Sequence, residues 1–344
     1  MKRKLTAILF VALLLLPGSV LAANDPMAEW QPQFDARGAE HTYLLSCVGH
    51  PAIEGVRVGF HIRDRVWKET NGRLFVDYRP MSQLGGEMDV IGKLRMGAIH
   101  GMMSSSVAAP NVSPRLGLVN LPFLLGSFEQ LQQFRDDAEL FEEYGAEALR
   151  SGIRVADFTA YGGYGWATRT PVTSLEEAKN VIFRIAQAPV NIDMYRAWGL
   201  QFTVMPWPDV PQALQTGVIT GLDHTPTVTG TANFFNTAKH YTQVDYAQGL
   251  YIHLINERWL QRLPEDLRET LLRIITEESH KARLAGQEQD QREMAKARTA
   301  GVSFYRLPEQ DLATMKRQVE PVIKQWEDRI GADFLKQVQQ RLNN

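Results

Sequence analysis

The chain has 344 residues and a formal net charge of −2, and 44% of its residues are hydrophobic, as in ordinary globular proteins. This slightly acidic balance argues against nucleic acid or an anionic membrane surface as a partner, because both require clustered basic residues. The single cysteine, Cys47, excludes an intramolecular disulfide, so the fold must depend on its hydrophobic core. Cys47 lies in an apolar run, which predicts a buried and unreactive thiol.

The first predicted element is a secretory signal peptide over residues 1–23. Three basic residues at positions 2–4 precede an apolar run over 5–16, and small or apolar residues lead to a cleavage point near Ala22. The run is shorter than the roughly 20 residues of a membrane-spanning helix, although an uncleaved anchor is the alternative. Cleavage removes three basic residues and lowers the formal net charge from −2 to −5. We therefore predict an exported protein without stable membrane insertion.

The rest of the chain alternates strand-like and helical patterns, which predicts an α/β fold with a partly parallel sheet. Strands are predicted at 42–48, 74–78, 100–103, 154–159, 164–168, 181–185 and 202–205, and helices at 56–70, 88–96, 191–198 and 210–216. Residues 221–226 form a polar loop before another helix. Residues 265–299 predict one long helix with Gly286 in its interior.

The sequence contains none of the common catalytic signatures. Metal-binding His and Cys spacings, a glycine-rich phosphate loop and the nucleophile elbow Gly-x-Ser-x-Gly are all missing from it. Its eight histidines are dispersed. We therefore predict that the protein is not an enzyme and that it uses no metal or cofactor.

Arg184 is a candidate ligand-binding residue because it interrupts an apolar strand, 181–185. Guanidinium is rarely buried without a partner, and its planar fork suits a carboxylate. The strand is followed by a predicted helix, and ligands of open α/β sheets bind where strands end and helices begin. An internal salt bridge is the alternative.

Trp207 is a second candidate, since Pro206 and Pro208 fix the backbone around this large aromatic side chain. It can close over a small ligand or fill an interface between two lobes. The polar loop with Asp223 and His224 is a third candidate. Its alternative is ordinary turn chemistry with Thr225 as the cap of the next helix.

Together, Arg184, Trp207 and the stretch 213–221 have the order and spacing of a known family. Residues 70–73, 83–87, 121–124 and 263–267 also match its pattern. The chain resembles the substrate-binding proteins of tripartite ATP-independent periplasmic (TRAP) transporters, the DctP-like family. The likeness covers nearly all of the chain after residue 23.

The resemblance implies a two-lobed periplasmic-binding-protein architecture with an interlobe cleft, crossing strands and a long bracing C-terminal helix. Lobe I is expected over residues 24–161 plus about 249–288, and lobe II over 162–248 plus about 289–344. It also implies a periplasmic receptor that captures a small organic acid, a carboxylate, and delivers it to TRAP membrane permease subunits. A periplasmic sensor for a membrane kinase, or an enzyme acting on an organic acid, are the alternatives.

The resemblance also implies roles for single residues. Arg184 matches the arginine that pairs with the substrate carboxylate, and Gln187 a polar position that helps to hold it. Trp207 matches an aromatic position on the ligand body, and His224 a ligand-contacting position. The remaining expected ligand-binding residues are Glu87 at the end of the 83–87 motif, Tyr164 or Arg169 at a second pocket position, and Asp223 in the polar loop. A carboxylate in that loop holds the metal in members with metal-bridged ligands, so Asp223 leaves that option open.

Overall fold

The computed structural model describes residues 27–342, and the predicted signal peptide lies outside them. The described residues up to Asp35 belong to a first unit, which contains one short 3-10 turn, Ala28–Trp30. A second unit begins at Ala36 and contains the strands and α-helices described below.

In the described part of the chain, nine strands form one mixed sheet. They are β1 (His41–Cys47), β2 (Leu74–Arg79), β3 (Gly101–Ser105), β4 (Ile153–Thr168), β5 (Ile182–Ile185), β6 (Gln201–Val204), β7 (Gly221–His224), β8 (His240–Asn256) and β9 (Ser303–Arg306). Their order along the sheet is β2-β1-β3-β8-β4-β7-β5-β6, and β9 pairs with β8.

The long strands β4 and β8 run antiparallel through the middle of this sheet. On one side β1 pairs in parallel with β2 and β3, and on the other β5 pairs in parallel with β6 and β7. The sheet therefore has two parallel blocks, which are joined by two shared strands.

Helices fill the connections between the strands. They are α1 (Glu54–Glu69), α2 (Glu87–Met96), α3 (Phe128–Asp136), α4 (Ala138–Arg150), α5 (Leu175–Ala178), α6 (Pro189–Ala197), α7 (Val210–Thr216), α8 (Pro226–Thr231), α9 (Glu257–Leu260), α10 (Glu265–Thr299), α11 (Glu309–Ile330) and α12 (Ala332–Leu342). The predicted helix over 265–299 is confirmed, and at ~1.5 Å per residue its length is about 50 Å. It packs on β4, α1 and α8.

Three predicted elements differ from the structure. The expected strands 154–159 and 164–168 are parts of one strand, β4, whose register shifts near Gly163 absorb the glycine-rich stretch between them. The expected polar loop at 221–226 begins instead as a strand, β7, because Leu222 is buried and pairs with neighbours on both sides. The predicted cap at Thr225 is confirmed, since its side chain accepts a hydrogen bond from the Val228 amide.

The core is divided between the two parallel blocks. One buried cluster includes Met102, Phe158 and Trp326, and another surrounds Phe183 with Trp166 and Trp198. Phe183 and Ile185 of β5 both belong to the second cluster. Since successive side chains of a strand alternate between its faces, Arg184 is directed to the opposite face.

Candidate functional site

Arg184 is buried near the end of β5, with 5% of its surface exposed. Its Nε and Nη2 atoms both donate to the carbonyl oxygen of Met205, at 3.0 and 2.8 Å. Among the described residues no carboxylate forms an ion pair with it. Burial lowers the pKa of the guanidinium to about 10, and the nearby charge of Glu87 opposes this shift. Arg184 is therefore a cation held by a neutral carbonyl group.

Trp207 lies beside this guanidinium. Trp207 has a proline on each side and begins a 3-10 turn, Trp207–Asp209. Its ring centroid is 5.4 Å from the Arg184 Cζ atom. This distance allows a cation–π interaction. The other rings near Trp207 are those of His224 and Phe234, at 5.2 and 5.5 Å. Trp207 therefore combines packing against its own block with a place in the wall of a cavity.

The cavity has a volume of about 240 Å³ and lies between the two parallel blocks of the sheet. Glu87 and Ser105 face it from one block, and Arg184, Trp207 and His224 face it from the other. The shared strands contribute three tyrosines, Tyr161, Tyr164 and Tyr251. A molecule bound here would touch both blocks at once.

Glu87 is the first residue of α2 and is half-buried. Its Oε1 atom accepts a hydrogen bond from the Ser105 amide at 2.7 Å, and Oε2 accepts one from the Ser105 hydroxyl at 2.9 Å. Burial raises the pKa of this carboxyl, while the two bonds from Ser105 and the charge of Arg184 lower it. Ser105 thus fixes the orientation of an acid within the cavity wall.

His224 is the last residue of β7 and presents a neutral ring to the cavity. Its Nδ1 atom accepts a hydrogen bond from the Thr225 amide at 3.0 Å, which assigns the proton to Nε2. Burial and the charge of Arg184 lower its pKa to about 3. The ring stacks on Tyr164, with 5.7 Å between centroids. His224 is therefore a hydrogen-bond donor without charge at neutral pH.

Tyr161 and Tyr164 line the cavity together, and their hydroxyl oxygens are 3.2 Å apart. Residues three apart in a regular strand face opposite sides, but β4 changes register between Ala160 and Gly163. This irregularity brings both rings to the same side. Sequence reasoning included Tyr164 but missed Tyr161, Tyr251 and Ser105, because buried strands show no signal that separates a cavity wall from a core.

Two predicted site residues, Asp223 and Arg169, lie outside both cavities of the site. Asp223 faces away from the cavity, where its Oδ2 atom accepts hydrogen bonds from Tyr246 and Asn191 at 2.8 and 3.3 Å. Burial raises its pKa to about 7. Arg169 is exposed and donates to the Gln215 carbonyl oxygen at 3.3 Å.

Gln187 lines a second and smaller cavity of about 140 Å³. Arg184, Trp207 and Glu87 border both cavities, so the second one is a side compartment of the same site. Gln187 is exposed at this edge. The structure thus brings five predicted residues to the main cavity, namely Glu87, Tyr164, Arg184, Trp207 and His224.

Within residues 27–342, no group of three or more His, Cys, Asp or Glu side chains is arranged to hold a metal ion. The same part of the chain contains no helix with the length and apolar composition of a membrane span.

The fold and the cavity define a solute-binding protein of α/β type, and comparison with known proteins identifies its family. Residues 56–329 match the family DctP, described as bacterial extracellular solute-binding protein, family 7. The chain belongs to this family. Its members are substrate-binding receptors of the periplasm.

Two curated relatives illustrate the similarity. The chain is 26% identical over 271 residues to the C4-dicarboxylate-binding periplasmic protein DctP of Rhodobacter capsulatus, covering 78% of this chain and 81% of the relative. It is 26% identical over 243 residues to the 2,3-diketo-L-gulonate-binding periplasmic protein YiaO of Escherichia coli, covering 70% and 73%.

Solved structures confirm the predicted fold class. A TRAP periplasmic solute-binding protein from Sulfurospirillum deleyianum with bound succinate has a TM-score of 0.79 at 24% identity, covering 88% of this chain and 99% of the other. The sugar acid binding protein DctPAm from Advenella mimigardefordensis with galactonate has a TM-score of 0.82 at 16% identity, covering 88% and 97%. The architecture is therefore the two-lobed periplasmic-binding fold with shared strands and a long C-terminal helix.

Proposed function

We propose that this protein is a periplasmic receptor that captures a small organic acid and delivers it to a TRAP-type membrane permease. Membership of the solute-binding family supports the receptor role. The names and ligands of its relatives and structural neighbours, which include C4-dicarboxylate, succinate and galactonate, support a carboxylate as the cargo. Export would use the signal peptide proposed at residues 1–23.

One observation carries the assignment of the site. Arg184 is a buried cation in a cavity wall, and its hydrogen-bonding partner there is a carbonyl oxygen instead of an acid. A buried charge without an opposite charge is costly, and a bound carboxylate removes that cost with strong charge-assisted hydrogen bonds. Trp207 and Tyr164 would enclose the body of the acid, and His224 would donate a hydrogen bond to it.

We further propose lobe I over residues 24–161 plus about 249–288 and lobe II over 162–248 plus about 289–344. Glu87 and Ser105 would then belong to lobe I, while Arg184, Trp207 and His224 would belong to lobe II. A ligand that contacts both groups favours a closed arrangement, because it makes more interactions there than in an open one. The closed receptor would then be the form that docks on the permease.

The test is the affinity of the Arg184→Lys variant for an organic acid. A thermal-shift panel of organic acids first selects the acid that stabilises the protein most, since binding raises apparent stability by mass action. We expect Arg184→Lys to weaken binding of that acid at least tenfold by calorimetry, about 1.4 kcal/mol. Lysine keeps the charge but has no planar fork to hold both Met205 and a carboxylate.

Arg169→Lys is the matched control, because Arg169 is exposed, bonds to a backbone carbonyl and lies outside both cavities. The Arg169→Lys variant should bind the selected acid with the same affinity as the unmodified protein. Equal affinity of Arg184→Lys and the control would contradict the proposed pairing.

A further inference from the structure

The charges that face the cavity are few. Among the described residues that line it, Arg184 is the one side chain with a permanent positive charge, and Glu87 is the one acid. Two of the five guanidinium N–H groups are already donated to Met205, so the remaining ones match a single carboxylate. The cavity therefore offers one strong anion site.

The buried histidine of the lining, His224, does not add a second anion site. Its Nδ1 atom accepts a hydrogen bond from the Thr225 amide at 3.0 Å. A ring nitrogen that accepts a hydrogen bond carries no proton, so this imidazole is neutral in this arrangement and can donate from Nε2 without charge. The other lining histidine, His50, is exposed to solvent.

The remainder of the lining is mostly aromatic or aliphatic, and its aliphatic hydroxyl groups are those of Ser82, Ser105 and Thr231. Tyr161, Tyr164, Trp207 and Tyr251 contribute rings, and Val48, Ile53, Val107 and Val228 contribute aliphatic side chains. The tyrosine hydroxyls stay protonated, because burial raises the pKa of each of the three. Among these lining residues, a second carboxylate on the ligand would meet uncharged side chains or the acid Glu87, and no second Lys or Arg to pair with.

We propose that the cavity selects monocarboxylates with an uncharged, apolar body, and that Glu87 is the residue that excludes dicarboxylates. This inference rests on the proposed function and narrows it to a substrate class. The ligand carboxylate pairs with Arg184, its body lies among the aromatic rings, and its far end approaches the block that carries Glu87. There a hydroxyl or an alkyl group is accepted, whereas a second anion is repelled by Glu87 and loses its hydration without an opposite charge to pair with.

The experiment uses two pairs of acids in which an isopropyl group replaces one carboxylate of the same skeleton. The pairs are 2-hydroxy-4-methylpentanoate with malate, and 4-methylpentanoate with succinate. We expect the protein to bind the monocarboxylate of at least one pair ten or more times as tightly as the matched dicarboxylate by calorimetry at pH 7.5. A preference for the monocarboxylate of less than tenfold in both pairs would overturn the inference and leave the organic-acid function intact.

The Glu87→Gln variant tests the residue itself. Glutamine keeps the shape and an oxygen that accepts from Ser105 but removes the charge. We expect the preference for the monocarboxylate to fall at least fivefold, through tighter binding of the dicarboxylate. Asp209→Asn is the control, since Asp209 is exposed, follows Trp207 and Pro208, and lines neither cavity.

An unchanged preference in Glu87→Gln would overturn the role of this glutamate. If folded protein binds no acid of these pairs or of the wider panel, the organic-acid function fails, and the narrower inference fails with it.

Discussion

A single carbonyl oxygen, that of Met205, holds the Arg184 guanidinium through two N–H groups. The side chain is thereby fixed before a ligand arrives, and less rotational freedom is lost when the ligand binds. The Trp207 ring, whose centroid is 5.4 Å from the Arg184 Cζ atom, restrains the guanidinium from another direction. Preorganisation of this kind favours a rigid, planar partner such as a carboxylate.

Asp223 is a buried acid on the opposite face of β7 from His224, and its surroundings make folding sensitive to pH. Its Oδ1 atom and the Oδ1 atom of Asn191 have no hydrogen-bond partner in the described part of the chain. Burial raises the pKa of Asp223 to about 7, from an ordinary value of 3.8. The folded protein therefore keeps a proton that the unfolded chain releases between about pH 4 and pH 7.

This difference predicts the effect of Asp223→Asn. Because the folded state binds more protons in this window, the stability contributed by Asp223 falls as pH rises through it. We expect the variant to be more stable than the unmodified protein at pH 8, by roughly 1 to 3 kcal/mol, and about equal to it at pH 4. Urea unfolding followed by tryptophan fluorescence at the two pH values measures this.

Asp209→Asn controls for the loss of one negative charge at the surface, since Asp209 is exposed. A stability difference between Asp223→Asn and the unmodified protein that stays constant from pH 4 to pH 8 would contradict the assignment.

At the scale of single residues, the sequence predicted the part of the site that contrasts with its surroundings. Arg184 was identifiable because a charge interrupts an apolar strand, and Trp207 because prolines flank it. Glu87 came from a family pattern, and His224 from a polar loop before a helix together with the same pattern. Tyr161 and Tyr251 were not identifiable, because their exposure to a cavity depends on strand register, which side-chain composition does not encode.

At the scale of elements, the contact between α10 and β4 shows why Gly286 stands inside a long helix. A Cβ atom built on Gly286 would meet the carbonyl oxygen of Ala160 well inside van der Waals contact. The helix therefore lies directly against the backbone of the shared strand. Nearby, Arg283 of α10 donates to both Asp157 and the Phe158 carbonyl oxygen, at 2.6 and 2.7 Å, so polar bonds reinforce the same contact.

This contact predicts opposite effects for two glycine-to-alanine changes in helices. We expect Gly286→Ala to lower the free energy of unfolding by about 1–3 kcal/mol, because the helix must move from the strand. Gly92→Ala in α2 is the matched control, since its Cβ would meet nothing within 4 Å. There we expect a gain of about 0.5–1 kcal/mol from the lower flexibility of the unfolded chain.

Chemical denaturation of the two variants beside the unmodified protein is the measurement. Stabilisation by Gly286→Ala would show that α10 does not approach β4 so closely.

The long helix was predictable as an element because helix-forming residues continue from 265 to 299 without a strong break. The continuity of β4 was not, since Gly162 and Gly163 resemble a turn between two strands. Pairing with β8 along both halves keeps β4 extended, and that pairing joins residues between 72 (Thr168 and His240) and 103 (Ile153 and Asn256) positions apart. Local sequence patterns do not indicate a partner strand so far along the chain.

At the scale of the whole molecule, the cavity draws its walls from both parallel blocks and from the two strands that join them. Ligand contacts to Glu87 on one block and Arg184 on the other would hold the blocks together. A ligand shifts a conformational equilibrium by its difference in affinity for the two states. The bound protein should therefore be more compact than the free protein.

Small-angle X-ray scattering tests this expectation. We expect a smaller radius of gyration when the acid selected by the thermal-shift panel is added at saturation. Arg184→Lys should need at least ten times more acid for the same change, as its weaker affinity requires. An identical radius with and without acid, under conditions where calorimetry shows binding, would contradict closure.

Cys47 is a natural probe of local opening in the sheet. The thiol ends β1 in the interior with 1% of its surface exposed, and burial raises its pKa to about 12. A thiolate-specific reagent can reach it only after the strands around it separate, and no other cysteine in the chain competes for the reagent. The rate of its modification thus measures how often the structure around β1 opens, in the natural sequence and without an introduced label.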